Sequence, residues 1–477
     1  MFLLNILYIP EFILTFGALT ILLVSVFLKS KSFKFSLYAS VFLLFFTFII
    51  VLINHGNNFF NYQPLFISNS FISLFKLFII AGSLFCLLIL EKYFKDLDLE
   101  KFEIPILIIF SVLGMMIMIS SNNLMTMYLG IELQSLTLYV VATTQKNSIK
   151  SSEAGLKYFV LGALSSGILL YGCSLIYGFT GSMNFIEIKN ILESTLSLNI
   201  GLIFGLIFVM VALAFKVSAV PFHMWTPDVY EGAPTPITAY FAIVPKIAAI
   251  CLFIRFLMEP FGNFWFQWNQ IIIFLSIASM ILGALAAIKQ DNIKRLLAYS
   301  SIGHVGYILI GLASVSESGI SGIIIYLLIY MVMNLCIFSI LLSLKINNHY
   351  VESIKSLSGI SKKNPIISIV LTIMMFSMAG LPPFAGFFAK FYIFIAAIES
   401  KLFLLAIIGV LSSVIAAYYY IRIVKIMYFD DSENNYTVIL TFKSKIIIFF
   451  STVFISLLIL KPSLIINFSK MASYSLF

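Results

Sequence analysis

Runs of roughly eighteen or more apolar residues recur from one end of this chain to the other, each long enough to cross a hydrocarbon layer about 30 Å thick as a helix. Within such a layer only helices and closed barrels satisfy their own backbone hydrogen bonds. Barrel strands would alternate polar and apolar residues over about ten positions, and these runs do not alternate. The chain is therefore read as an all-α polytopic membrane protein. Its composition agrees: 61% of the 477 residues are hydrophobic and 10% are charged, against about 25% charged in soluble proteins.

Window length and breakers predict about fourteen transmembrane helices, near 8–28, 35–54, 72–92, 104–120, 123–143, 153–177, 200–220, 236–258, 270–288, 294–313, 318–343, 365–397, 402–424 and 446–466. The first run has neither a basic leader nor a small-residue cleavage site, and is expected to be a retained helix. No polar link is long enough for a separate soluble domain. With both termini outside, the inner loops (KSKSFK, EKYFKDLDLEK, QKNSIK, KQDNIKR, KINNHYVESIKSLSGISKK and the 422–445 link) hold about 19 of the 29 Lys and Arg. That is the positive-inside bias expected of an even number of spans. The net charge of +9 thus reports topology; the bilayer, and no nucleic acid, is the expected partner surface.

Two spans are interrupted. The seventh runs into VPFHMWTPDVYEGAPTP, with Pro221, Pro227, Pro234 and Pro236; the twelfth carries GLPPFAG, with Pro382 and Pro383. Each proline removes a backbone donor and clashes with the preceding turn. Unwound backbone at membrane depth is tolerated only against protein or a wet cavity. Paired broken helices in matching places are the mark of a repeated transporter unit with its ion path at the breaks. The expected organisation is helices 1–3 over residues 1–99, a five-helix unit over 100–260 broken near 221, a second over 261–430 broken near 382, and a last helix within 431–477.

Charges inside the spans are the next constraint. Glu132, Lys216, Lys246 and Lys390 fall within or beside apolar helices, and each costs about 2.5–3.5 kcal/mol to insert. His304 is central in the tenth span. One Glu, three Lys and a His across five spans make a candidate proton path, because a lysine beside a switchable carboxylate can hold a proton or release it and histidine is a natural relay. The blander readings are a structural ion pair for Glu132 and a lysine, and a hydrogen-bonded core histidine for His304. Lys76 is expected to snorkel to the interface, and Lys157 to do so or to join the path. His223, Asp228 and Glu231 either order the first break or carry ions, while His55 and His349 read as surface residues.

Redox chemistry finds no foothold. There is no dinucleotide fingerprint after a strand, no cysteine cluster and no haem-like histidine pair. Cys86, Cys173, Cys251 and Cys336 are scattered singly in apolar runs, as small buried hydrophobes. Any driving reaction is expected in a partner.

Four stretches, ALAFKVSAVPFHMWTPDVYEGAPTPITAY, LKYFVLGALSSGILLYGCSLIYGFTGS, LGALAAIKQDNIKRLLAYSSIGHVGYILIG and FSMAGLPPFAGFFAKFYIF, closely resemble the antiporter-like membrane subunits of proton-translocating NADH:quinone oxidoreductase, respiratory complex I. The resemblance spans roughly residues 100–430. Lysine at 390 and the PDVYEGAPTP wording favour one of that family's three paralogues. The resemblance implies inverted repeats of five helices, Glu132 as partner of Lys216, Lys246 as the eighth-helix lysine and Lys390 facing the exit. It also implies a central relay histidine at His304. By the same resemblance this chain holds no cofactor: NADH, flavin, iron–sulfur clusters and quinone belong to partner subunits. Adjacent antiporter-like and small membrane subunits are the implied neighbours, in a bacterial inner or mitochondrial inner membrane. Subunits of multi-component Na+/H+ antiporters share the Glu/Lys machinery and are one alternative reading; a purely structural membrane subunit is another.

Overall fold

The computed structural model describes residues 8–28, 31–54, 65–194, 199–431 and 436–476. His55, the start of the KSKSFK loop and part of the 422–445 link lie outside the described residues. The chain is all-α. Helices α1 (Ile9–Phe27), α2 (Ser32–Ile53) and α3 (Ser70–Asp96) come first. They are followed by α4 (Glu103–Ser120), α5 (Leu124–Ala142), α6 (Ile149–Thr180), the short α7 (Phe185–Glu193), α8 (Ile200–Val217), the half-helix α9 (Trp225–Gly232) and α10 (Thr235–Met258). The second half comprises α11 (Trp265–Ile288), α12 (Ile293–Ala313), α13 (Glu317–Leu341), the single turn α14 (Ile360–Lys363), α15 (Pro365–Ala379), α16 (Ala385–Glu399) and α17 (Phe403–Phe429). Helices α18 (Phe442–Leu457) and α19 (Ser463–Tyr474) end the chain.

Among the described residues, 13 helices are long and apolar enough to cross a membrane. The remaining expected span, 365–397, is present as α15 and α16, of 15 residues each. At 1.5 Å per residue each reaches only about 22 Å, so neither crosses alone. Both breaks have the same local plan. A left-handed residue ends the helix, Ser218 (φ 61°) or Gly380 (φ 83°), and a cis X–Pro bond follows, Val220–Pro221 or Pro382–Pro383. Asparagine side chains start the helices that carry the central polar residues: Asn123 caps α5 through the amide of Met125, and Asn292 caps α12 through those of Lys294 and Arg295.

Helix α10 is the axis of the bundle, with every residue from Thr235 to Leu257 buried. Its C-terminal end is tied down by Arg255, which donates to the carbonyls of Ile119 (2.6 Å) and Ser121 (2.8 Å) where α4 ends, and pairs with Glu259 at 2.7 Å. Helices α4 and α5 approach through small residues: a Cβ on Gly114 would stand 2.6 Å from the amide nitrogen of Gln134. The outward faces of α1, α2, α5, α6, α11, α17 and α18 present large apolar side chains such as Phe42, Leu164, Val414 and Phe450, as a lipid-facing belt requires.

Three features were not foreseen. A small antiparallel sheet, order β2 (His349–Tyr350), β1 (Leu344–Ile346), β3 (Tyr436–Val438), lies beyond the C-terminal end of α13. Its strands are two or three residues long, too short for a readable alternation. The last part of the chain, read as one span over 446–466, is two helices, α18 and α19, with α19 packed on α13. Lys76 does not snorkel: it is buried in α3 and pairs with Glu11 of α1 at 2.5 Å, both nearly shielded from solvent. A counterion on a neighbouring helix replaces the route to the interface. His349 is exposed, and all four cysteines are free and buried.

Candidate functional site

Glu132 lies mid-way along α5, half-buried, beside the exposed Leu129 and Leu136. Its Oε1 is shielded from solvent and has no hydrogen-bond partner among the described residues. Lys216 ends α8 at the first break. The two do not form an ion pair; Lys216 Nζ donates instead to Ser135 Oγ at 2.6 Å, one turn along α5 from Glu132. The carboxylate remains close enough for its charge to act on the lysine.

Lys246 follows Pro245 in α10 and is 2% exposed. Its Nζ donates to Ser301 Oγ of α12 at 2.6 Å and sits 5.4 Å from the ring centre of Tyr230, on the half-helix α9. One turn beyond Ser301 comes His304, its Nδ1 2.6 Å from Tyr326 Oη and its Nε2 3.0 Å from Tyr420 Oη. Tyr420 in turn meets Ser300 Oγ at 2.5 Å. The charges of Lys246 and Lys390 both reach His304.

Lys390, on α16, is 5% exposed. Its Nζ donates to the Ala379 carbonyl and to Ser413 Oγ, both at 2.8 Å, and lies 4.9 Å from the ring centre of Tyr307. Ala379 is the last residue of α15, so the ammonium caps the negative end of the broken helix. At the first break that place is taken by an indole: Trp225 Nε1 donates to the Phe215 carbonyl at 3.0 Å. Between His304 and Lys390 a cleft lined by Ser300, Tyr307 and Tyr420 leaves no room for a water-sized sphere.

The structure therefore brings Lys246, His304 and Lys390 together around α12 and sets Lys216 with Glu132 against α5. No direct hydrogen bond joins the two groups among the described residues. The hydroxyls that hold these side chains, on Ser135, Ser301, Ser413, Tyr326 and Tyr420, escaped the sequence reading because serine and tyrosine are common and carry no diagnostic spacing.

Asp228 and Glu231 are part of a charge cluster that orders the first break. Asp228 pairs with Lys157 (2.7 Å) and Arg295 (2.8 Å), and Glu231 with Arg295 (3.0 Å) and Lys150 (3.1 Å). Lys157 also pairs with Glu153, at 2.7 Å. Burial pushes both α9 carboxyls up. The hydrogen bonds and charges of Lys157 and Arg295 on Asp228, and of Arg295 and Lys150 on Glu231, outweigh it and hold both below their usual range. Arg295 was the missed member; its position three residues after the helix-starting Asn292 places it in the first turn of α12, against α9. At His223 burial pushes the imidazole down, against a backbone contact with Pro221.

Broken half-helices around buried lysines in an all-helical bundle define an antiporter-like ion-translocating membrane subunit. Residues 121–416 match the family model described as NADH:quinone oxidoreductase/Mrp antiporter, transmembrane. A protein of Pelagibacter ubique named NADH-quinone oxidoreductase subunit N is 56% identical over 391 residues, 82% of each chain. The chain belongs to this family, the subunit N proteins, as Lys390 and the PDVYEGAPTP wording had favoured. Among solved structures, a chain of respiratory complex I from Thermus thermophilus superposes with a TM-score of 0.81 at 27% identity, covering 96% of this chain and 98% of that one. A chain of the Mrp complex from a Dietzia species gives a TM-score of 0.86 at 20% identity, covering 98% and 97%, a likeness of fold alone.

Proposed function

We propose that this chain is the non-redox, proton-translocating membrane subunit of an NADH:quinone oxidoreductase in an energy-transducing bacterial membrane, flanked by other membrane subunits of that complex. One observation carries the reading. Lys216, Lys246 and Lys390 sit among transmembrane helices with only neutral oxygens as hydrogen-bond partners, and none has a carboxylate in ion-pair reach among the described residues. A buried ammonium locked on a carboxylate, like Lys76 on Glu11, is structural; one held by hydroxyls and carbonyls is poised to give its proton up.

Glu132 sets the electrostatic field at Lys216, and a change of charge near Glu132 gates release from Lys216. The proton passes toward Lys246, and from there by Ser301 and His304 to Lys390. Ordered water supplies the hand-over from Lys216 to Lys246; the closed cleft between His304 and Lys390 is crossed along its lining hydroxyls, Tyr420 on His304 and Tyr307 beside Lys390. The two units, 100–260 and 261–430, each contribute a broken helix, and the matching plans of the two breaks support reading them as repeats. This chain binds no cofactor; NADH, flavin, iron–sulfur clusters and quinone are held by partner subunits, whose chemistry drives the step.

The test is Lys216→Ala in native membranes, scoring NADH-driven quinone reduction and proton translocation together. The expected result is an assembled complex with translocation reduced at least about a hundredfold, the low end of what a positioned proton-transfer group supplies. Lys216→Arg is expected to fail likewise, because arginine does not release its proton. Normal proton yield in both would return the lysines to a structural role.

A further inference from the structure

Helices α3, α13 and α18 leave an open groove of about 420 Å³ between them, lined among others by Phe85, Met331, Leu335, Ile446, Phe450 and Phe454, with Ile446 and Phe450 on the exposed face of α18. Ser451 is its only hydroxyl-bearing lining residue. On α18 the lining runs from Ile446 to Phe454, nine residues that span about 12 Å of helix. That is close to the roughly 15 Å of one leaflet's hydrocarbon, half of the total. Its volume falls in the range of about 300–1,000 Å³ that holds a small-molecule ligand.

The inner end of this groove is basic. Lys443 lies one turn inward of Ile446 on the same stripe of α18, and Lys92 two turns inward of Phe85 on α3. Lys445 is exposed beside the rim. Lys34, exposed near the start of α2, is close enough for its charge to act on Glu91. Against these four ammonium groups stands one carboxylate, Glu91, which pairs with Lys443 at 2.6 Å and also accepts from Tyr38. Farther inward Lys345 and Asp96 pair at 2.6 Å and cancel. Lys92 donates to the Ile439 carbonyl at 3.0 Å, which holds its ammonium at this end.

We propose that this groove is a binding site for an anionic phospholipid of the inner leaflet, with one acyl chain between α3, α13 and α18 and the phosphate at Lys443, Lys445 and Lys92. Basic pockets between transmembrane helices on the inner side take anionic head groups, and the excess of positive charge selects them over zwitterionic ones. The lipid would fasten α18, at the far end of the sequence, to α3, from its first hundred residues.

The test uses the intact complex in nanodiscs containing phosphatidylglycerol with a photoactivatable acyl chain, followed by mapping of labelled peptides. Label is expected on the segments holding Phe85, Leu335 and Phe450, displaced by unlabelled phosphatidylglycerol and not by phosphatidylcholine. Lys443→Gln/Lys445→Gln is expected to lower it at least fivefold. Ile446→Trp, which fills the groove without touching the charges, is expected to lower it as far while NADH oxidation by the assembled complex is unchanged. Equal displacement by phosphatidylcholine would make this ordinary annular lipid. An absence of label would mean that a neighbouring subunit covers the groove. Either overturns the proposal.

Discussion

Removing the ammonium of Lys76 leaves the Glu11 carboxylate buried, with one of its oxygens already unpartnered. Lys76→Met is therefore expected to destabilise the assembled protein by about 3–5 kcal/mol, as breaking a buried pair does, and Glu11→Leu/Lys76→Met to recover most of that. Thermal melting of the purified complex checks both, with translocation by the double variant expected to be unimpaired. His304 separates the two kinds of role differently. His304→Phe strips the buried Tyr326 hydroxyl of its His304 partner, at about 1–3 kcal/mol, while Tyr420 keeps Ser300. Restoring stability with Tyr326→Phe should not restore translocation if the ring carries protons; recovery of both would make His304 a core residue. At this scale the sequence was most legible where the residue type was costly. A lysine or glutamate in an apolar run announces itself, and so Glu132, Lys216, Lys246 and Lys390 were found. The counterion of Lys76 was not, because Glu11 lies 65 residues away in the chain and only packing brings the two together.

The breaks were legible as elements because proline and glycine act locally, whereas what holds them open is tertiary. A Cβ on Gly386 would come within 1.8 Å of the Ser377 carbonyl oxygen, across the second break. Gly386→Ala is thus expected to push α16 off α15, displace Lys390 from the Ala379 carbonyl and cost about 1–3 kcal/mol, the usual range for overpacking; the melting point and proton yield of the variant read both effects. At the first break the Arg295–Asp228–Glu231 cluster holds α9, and with it Tyr230, in position. Asp228 and Glu231 have folded values below those of the unfolded chain, about 3.9 and 4.3. Their contribution is therefore complete above those unfolded values and is lost as pH falls through the folded ones. Hydrogen exchange over 225–232 should accelerate below about pH 4, and Arg295→Gln should flatten that dependence while raising exchange at neutral pH. Sequence reading named both carboxylates and left their role open, because nothing local says which cations face them.

For the whole molecule, hydropathy was sufficient to read the class and the spans, 13 helices and the two halves of a broken one. It misses whatever depends on how helices are arranged in cross-section: the short α7 and α19, the three-stranded sheet, and the choice of α10 as the axis. Gly114 offers a test at this scale, since it sets the distance between α4 and the helix carrying Glu132. Gly114→Leu is expected to separate the two, lower the yield of assembled complex and weaken proton translocation more than quinone reduction; measuring both activities on the assembled fraction checks this. The complete burial of α10 has one further consequence. Lys246 has no route to lipid in any direction, because a full layer of other helices surrounds it, as a sheath surrounds a wire. Leak from the proposed proton path is then set by the sheath and not by the membrane, so a change of bilayer thickness or fluidity should alter how the complex assembles long before it alters how well this core insulates.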